Sequence, residues 1–239
     1  MPRKREIISI ILGAILGSAL FSSRASPRMA VGPAQTDPAS TAELLPEEIR
    51  QAKQELADLG YWVVKVDDVF DTSARHALTA FQKVEGRPRT GKLNSGELAA
   101  LATAHRPTPY QGGPSHVEID ITRQVLFLVN DNGTVVRILP VSTGSSKLFT
   151  SEGRTRKACT PCGTYRIDRK IDGWRRSPLG LLYYPSYFHH GVAIHGNPTV
   201  PPYPASHGCV RIPMFAAKEF NRLTPIGTVV IVHEGEDTQ

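Results

Sequence analysis

The hydrophobic pattern of this chain changes its period near residue 110. Before that point, apolar side chains recur every three or four positions in three short stretches, which begin near Pro46, Thr72 and Ser95 and predict helices. From residue 116 onward, runs of β-branched and aromatic residues replace this spacing and predict strands. The pattern therefore predicts an α+β multidomain chain, with a small three-helix N-terminal bundle followed by a β-rich domain.

The strands of the second part are short and are separated by turn residues. They are predicted at 116–120, 124–129, 135–141, 163–168, 191–195 and 228–233. An Asn-Gly pair at residues 132–133 predicts a tight hairpin between the second and third of them. One helix is predicted over about residues 214–223, with Pro213 near its start and Pro225 beyond its end.

The first 25 residues indicate export from the cytoplasm. Three basic residues at 3–5 precede an uncharged apolar run at 7–21, and small residues then stand where a signal peptidase cleaves. We expect a signal peptide over 1–25 and a flexible, Pro-rich linker over 26–40. A retained membrane anchor is the alternative; after cleavage we expect no stable membrane span. Either reading predicts a secreted protein of the periplasm or the cell wall.

Composition and charge exclude several other classes. The 40% share of hydrophobic residues is too high for a disordered chain, and three cysteines are too few for a disulfide-held scaffold. The formal net charge is +6, but residues 1–25 contain four basic residues and one acidic residue, so the remainder carries only +3. Nucleic acid is therefore not an expected partner. We expect a monomer.

A second linker, over residues 106–114, separates a helical segment at 41–105 from a strand-rich segment at 115–235. The helical segment resembles the peptidoglycan-binding domain of bacterial wall enzymes over about residues 44–104. Its matching motifs are Leu59-Gly60-Tyr61-Trp62, Ala80-Phe81-Gln82 and Thr90-Gly91-Lys92-Leu93. The resemblance implies peptidoglycan as a partner. Plain core packing is the alternative role of Tyr61, Trp62 and Phe81.

The chain has three cysteines, so one thiol is left without a partner when the other two form a disulfide. Cys159 and Cys162 can form a short disulfide, and Cys209 is then the odd cysteine of a secreted chain. His207 stands two residues before Cys209, and His195 closes a predicted strand fourteen residues earlier. A nearby imidazole and the backbone donors of a turn predict a lowered thiol pKa and a nucleophilic thiolate.

These residues resemble the L,D-transpeptidase family, also called the YkuD type. The family motif is met by His195-Gly196 and by Ser206-His207-Gly208-Cys209-Val210-Arg211, with a weaker match upstream at Thr160-Pro161-Cys162-Gly163-Thr164-Tyr165. The resemblance covers roughly residues 115–234. It implies a β-rich catalytic domain that acts on peptidoglycan stem peptides and is acylated by carbapenems. It implies no cofactor.

The resemblance also implies a role for each motif residue. Cys209 is the nucleophile, His195 is the general base, and the Gly196 carbonyl orients His195. His207 lies beside the thiol, and the backbone N–H groups of Gly208 and Cys209 are the candidate oxyanion hole.

Substrate binding is assigned to Arg211, Ser206 and Tyr184. Arg211 would clamp a carboxylate, and a structural ion pair is its alternative role. Tyr183, Tyr184 and Tyr187 are candidates for adding a hydroxyl to the oxyanion hole, and the sequence does not choose among them.

The implied reaction has two halves. The thiolate attacks the bond between the third residue of a stem peptide, a diamino acid, and the terminal D-Ala, and a side-chain amine of a neighbouring stem then takes the acyl group. With water as the acceptor the same site is an L,D-carboxypeptidase. A non-catalytic wall-binding module is the remaining alternative.

Two other chemistries compete with the thiol mechanism in this region. The zinc-competent residues of this stretch are His189, His190, His195, His207 and Cys209. Their spacing fits no helical zinc motif, and no acidic residue lies between His189 and Arg211. No metal is therefore expected. The Cys-Thr-Pro-Cys segment at 159–162 precedes a predicted strand rather than opening a helix, which disfavours a thioredoxin-type site. We expect a structural disulfide there, with two free buried thiols as the alternative, and little loss of turnover when both are replaced.

Overall fold

A computed structural model describes residues 44–235. The predicted signal peptide at 1–25 and the linker at 26–40 lie outside the described residues. Within 44–235, no helix is both long enough and apolar enough to cross a membrane.

Three helices occupy the first part of the described chain: α1 (Pro46–Asp58), α2 (Thr72–Val84) and α3 (Ser95–Thr103). Side-chain caps fix where α2 and α3 begin. The Asp71 carboxylate accepts a hydrogen bond from the N–H of Ala74 at 2.8 Å, and the Asn94 side chain accepts one from Glu97 at 2.9 Å. Each cap satisfies an N–H that the helix itself leaves without a partner.

Two five-stranded sheets and one hairpin make up the second part. The strands are β1 (His116–Asp120), β2 (Val125–Val129), β3 (Val135–Pro140), β4 (Leu148–Ser151), β5 (Arg154–Lys157), β6 (Gly163–Arg166), β7 (Arg169–Lys170), β8 (Trp174–Ser177), β9 (Gly180–His189), β10 (Val192–Asn197), β11 (Val210–Pro213) and β12 (Val229–His233). The first sheet has the order β3-β2-β1-β12-β6. The second has the order β11-β10-β9-β7, with β8 also paired to β9, while β4 and β5 pair only with each other.

The six strands and the helix predicted from the sequence are present. The helix is α4 (Met214–Leu223), which packs on β9 and β10. Strands β4, β5, β7, β8, β9 and β11 had no prediction. Residues 154–157 read Arg-Thr-Arg-Lys and are all exposed, so they lack the buried apolar face that identifies a strand in a sequence.

Strand β2 is buried along its whole length because both of its faces are covered. Leu126 and Leu128 point into the core between the sheets, which also contains side chains of α4. Val125, Phe127 and Val129 point the other way and pack with apolar side chains of the three N-terminal helices. Because side chains alternate along a strand, β2 thus contributes side chains to two separate hydrophobic cores.

The N-terminal helices share their core with the sheet as well as with one another. Leu56, Leu78 and Phe81 lie in one cluster with Phe127 and Ile138. This shared core does not confirm a separate three-helix bundle, because the first sheet supplies one wall of the cluster.

The aromatic residues of the helical segment are core residues. Tyr61, Trp62 and Phe81 are 2%, 9% and 0% exposed, and the rings of Tyr61 and Phe81 meet edge to face at 5.7 Å. Core packing, the alternative role of these three rings, is confirmed. Any wall binding by this segment must use other side chains.

Candidate active site

Two neighbouring parallel strands bring the candidate nucleophile and base together. Strand β10 contains His195, and Cys209 immediately precedes β11; the register pairs Ile194 with Val210 and His195 with Arg211. Because side chains alternate along a strand, Ile194 and Val210 face the core while His195, Cys209 and Arg211 share the opposite face. All three line one cavity of about 390 Å³. Strand pairing therefore brings together two side chains that are fourteen positions apart in the sequence.

The imidazole of His195 is buried and has a defined orientation. Its Nδ1 lies 2.9 Å from the carbonyl oxygen of Gly196. A carbonyl can only accept, so Nδ1 carries the proton and Nε2 has a free lone pair. Burial lowers the pKa of His195 to about 4; the bond to Gly196 raises it and the charge of Arg211 lowers it further. The ring is thus neutral at neutral pH and able to accept a proton.

The thiol of Cys209 is protonated in this resting structure. Burial raises its pKa, and this effect outweighs the lowering by a backbone hydrogen bond from Ala193 and by the charge of Arg211. The expected lowering of the thiol pKa is therefore wrong, since desolvation of the thiolate is the largest contribution. The site starts as a neutral thiol and a neutral imidazole.

The turn before Cys209 is held by Ser206. Its hydroxyl accepts a hydrogen bond from the N–H of Gly208 at 3.0 Å and donates one to the carbonyl of Cys209 at 2.5 Å. The N–H of Gly208 is therefore occupied, which corrects its assignment to the oxyanion hole. The N–H of Cys209 has no acceptor within residues 44–235 and keeps that candidate role. Ser206 was assigned to substrate binding, but its hydroxyl makes both of these hydrogen bonds within the turn.

Gly208 is required at its position by its backbone. Its φ is +135°, and a Cβ there would lie 2.9 Å from the carbonyl oxygen of Cys159. Thr160 supports the same turn: its buried hydroxyl donates to the carbonyl of Gly208 at 2.7 Å and accepts from the N–H of Gly144 at 2.9 Å. Sequence reasoning quoted Thr160 in a motif but gave it no role. The Thr-Pro pair at the start of that motif was the sequence feature that could have pointed to this role.

The remaining assigned residues divide between the cavity and the core. His207 lines the cavity, is exposed, and packs its ring 4.8 Å from that of Phe149. Tyr184 does not line the cavity; it packs against the core cluster and stands edge to face with Tyr183 at 4.7 Å. Of the three tyrosines, Tyr187 is the one in the cavity wall.

Cys159 and Cys162 are free thiols, so the structural disulfide expected from the sequence is not formed. Cys159 lines the same cavity as Cys209. Cys162 lines a separate pocket that also contains Tyr110 and His233. The short segment between the two cysteines thus presents them to different cavities. Within 44–235, no three His, Cys, Asp or Glu side chains converge in an arrangement that could bind a metal ion.

Comparison with known proteins agrees with this architecture. The family model of the L,D-transpeptidase catalytic domain, YkuD, matches residues 114–232, and that of a putative peptidoglycan binding domain matches residues 46–101. No match was found among curated proteins.

Two solved structures illustrate the likeness. An L,D-transpeptidase from Xylanimonas cellulosilytica is 38% identical, with a TM-score of 0.72, and the match covers 78% of this chain and 93% of that one. An L,D-transpeptidase from Stackebrandtia nassauensis is 23% identical, with a TM-score of 0.47, and covers 81% and 94%. The chain belongs to the YkuD-type L,D-transpeptidase family.

Proposed function

We propose that this protein is a cysteine-dependent L,D-transpeptidase that cross-links or remodels the bacterial cell wall through a thioester acyl-enzyme. One observation carries the proposal: Cys209 and His195 share one face of two paired strands and line one cavity. We further propose that residues 1–25 direct export, and that the protein works as a monomer outside the cytoplasm.

Acylation begins from the neutral pair. As Cys209 Sγ attacks the carbonyl carbon of the diamino acid, its proton passes to Nε2 of His195. The bond from Nδ1 to the Gly196 carbonyl helps stabilise the imidazolium that forms. The N–H of Cys209 donates to the developing oxyanion, a contribution that typically amounts to about 2.7–4 kcal/mol of the barrier for one donor.

Collapse of the intermediate releases D-Ala. The imidazolium gives its proton to the leaving amine, the C–N bond breaks, and the acyl group remains on Cys209 as a thioester. The side-chain amine of a second stem then attacks the thioester, and His195 accepts the proton of that amine. The thioester C–S bond then breaks and the imidazolium returns its proton to Sγ, which leaves a new peptide bond and the regenerated thiol.

Purified protein incubated with a disaccharide-tetrapeptide and analysed by liquid chromatography and mass spectrometry tests the proposal. We expect free D-Ala and a dimer linked through two diamino acids, with Cys209→Ala at least about 10³-fold slower. Cys162→Ala is the matched control, because this thiol lies in a different pocket, and it should retain activity. D-Ala release without any dimer would identify an L,D-carboxypeptidase instead. Release of no D-Ala would favour a non-catalytic wall-binding module.

A further inference from the structure

Positive charge dominates the wall of the active-site cavity. Arg156 and Lys157 of β5 line it together with Arg211, and Glu152 is the one acidic residue in the lining. None of the three cations has a carboxylate within 4.0 Å in residues 44–235, although eight other ion pairs form there. Their donors are therefore free for a ligand.

Arg211 lies near the reacting groups. Its charge lowers the pKa of both His195 and Cys209, so its field reaches both side chains. The residue is half-buried, and its guanidinium forms no ion pair within residues 44–235. A cation that is partly removed from water without a partner attracts an anionic group strongly.

The hairpin of β4 and β5 extends this charge to a second wall of the cavity. Phe149 pairs directly with Arg156 across the hairpin, and its ring packs 4.8 Å from His207, in the turn before the thiol. This contact places the hairpin beside the loop that contains Cys209. Lys157 follows it at the end of the strand.

We propose that Arg156 and Lys157, together with Arg211, make the enzyme prefer stem peptides whose carboxylates are free over stems in which they are amidated. The inference rests on the proposed function, because it concerns the donor of that reaction. A carboxylate accepts charge-assisted hydrogen bonds from guanidinium and ammonium groups, and the guanidinium fork can bind both of its oxygens. A carboxamide is neutral and has one oxygen, so its attraction to the guanidinium and ammonium groups is much weaker.

Two tetrapeptide donors that differ only in amidation of the carboxyl groups upstream of the terminal D-Ala test the preference. For the wild type we expect kcat/KM to be roughly five- to tenfold higher with the free-carboxylate donor. The preference should shrink in high salt, because the groups of β5 are exposed. In the double variant Arg156→Gln/Lys157→Gln the ratio of the two kcat/KM values should fall to within about twofold of one.

Arg175→Gln/Arg176→Gln is the matched control, since these exposed residues of β8 lie outside the cavity lining. It should preserve the wild-type ratio while removing the same charge. Equal turnover of both donors by the wild type would overturn this inference and leave the proposed function standing. Loss of the preference in the control variant would also overturn it, because net charge alone would then explain the effect. Failure of the wild type to process either donor would instead contradict the proposed function.

Discussion

The Nδ1 atom of His195 lies 2.9 Å from the carbonyl oxygen of Gly196, its neighbour in β10. In the proposed mechanism this contact orients His195, a role that a carboxylate side chain fills in a catalytic triad. The bond to this neutral carbonyl raises the pKa of the ring, but burial lowers it by more and brings the pKa to about 4. The base is thus neutral over the physiological pH range.

The free enzyme should contain no Cys209 thiolate at neutral pH. Burial raises the pKa of this thiol, so the thiolate forms only as pH rises beyond the ordinary cysteine value of about 8.5. Iodoacetamide alkylation, followed against pH in a Cys159→Ala/Cys162→Ala background, measures this directly. The alkylation rate should stay low from pH 5 to 8 and then rise. A plateau of fast alkylation beginning below pH 6 would indicate a thiolate–imidazolium pair instead.

Thr160 is a positioning residue whose hydroxyl joins Gly144 to Gly208. Thr160→Val preserves the shape of the side chain and removes both hydrogen bonds, so we expect the free energy of unfolding to fall by about 1–3 kcal/mol. We also expect kcat to fall about tenfold with a smaller change in KM, since a small displacement of the turn misplaces the thiol. Thr160→Ser should restore most of kcat. An unchanged kcat in the valine variant would show that the turn keeps its geometry without this bridge.

Lys83 links α2 to the first sheet. Its Nζ donates to the carbonyls of Gln124 and Val141, each at 2.9 Å, and burial lowers its pKa to about 7. Lys83→Met should therefore reduce the free energy of unfolding by about 1–3 kcal/mol, because two buried carbonyls lose their donor.

The decrease in the free energy of unfolding that Lys83→Met causes should also depend on pH. Between pH 7 and about 10.4 the unfolded chain binds a proton at Lys83 that the folded protein does not, so wild-type stability rises with pH there by up to about 1.4 kcal/mol per unit. The difference between wild type and variant should grow over that range in denaturant titrations. Lys92→Met, at an exposed position, is the matched control and should change the free energy of unfolding only slightly. A difference for Lys83→Met that stays flat from pH 7 to 10 would mean that the lysine titrates normally.

Much of the candidate site follows from sequence because the motif residues are close together or lie on predictable strands. The apolar residues around His195 predict a buried strand, and the observed pairing of β10 with β11 places His195 and Cys209 on one face. The strand at β10 was predicted, whereas β11 was not: it has only four residues, and no turn residue separates it from α4.

Properties set by three-dimensional surroundings could not be predicted. The raised pKa of Cys209 depends on how deeply folding buries the thiol. The N–H of Gly208 was a reasonable oxyanion donor until the hydroxyl of Ser206 was seen to accept from it. Cys159 and Cys162 have the spacing of a short disulfide, but they face different cavities.

The central claim is that Cys209 is the acylated nucleophile. The most direct test is an intact-mass measurement after incubation with a carbapenem, followed by peptide mapping. If Cys209 is the nucleophile, we expect one adduct on Cys209, its absence in Cys209→Ala, and its retention in Cys162→Ala. An unmodified protein, or an adduct on Cys159 or Cys162 with Cys209 left free, would contradict it.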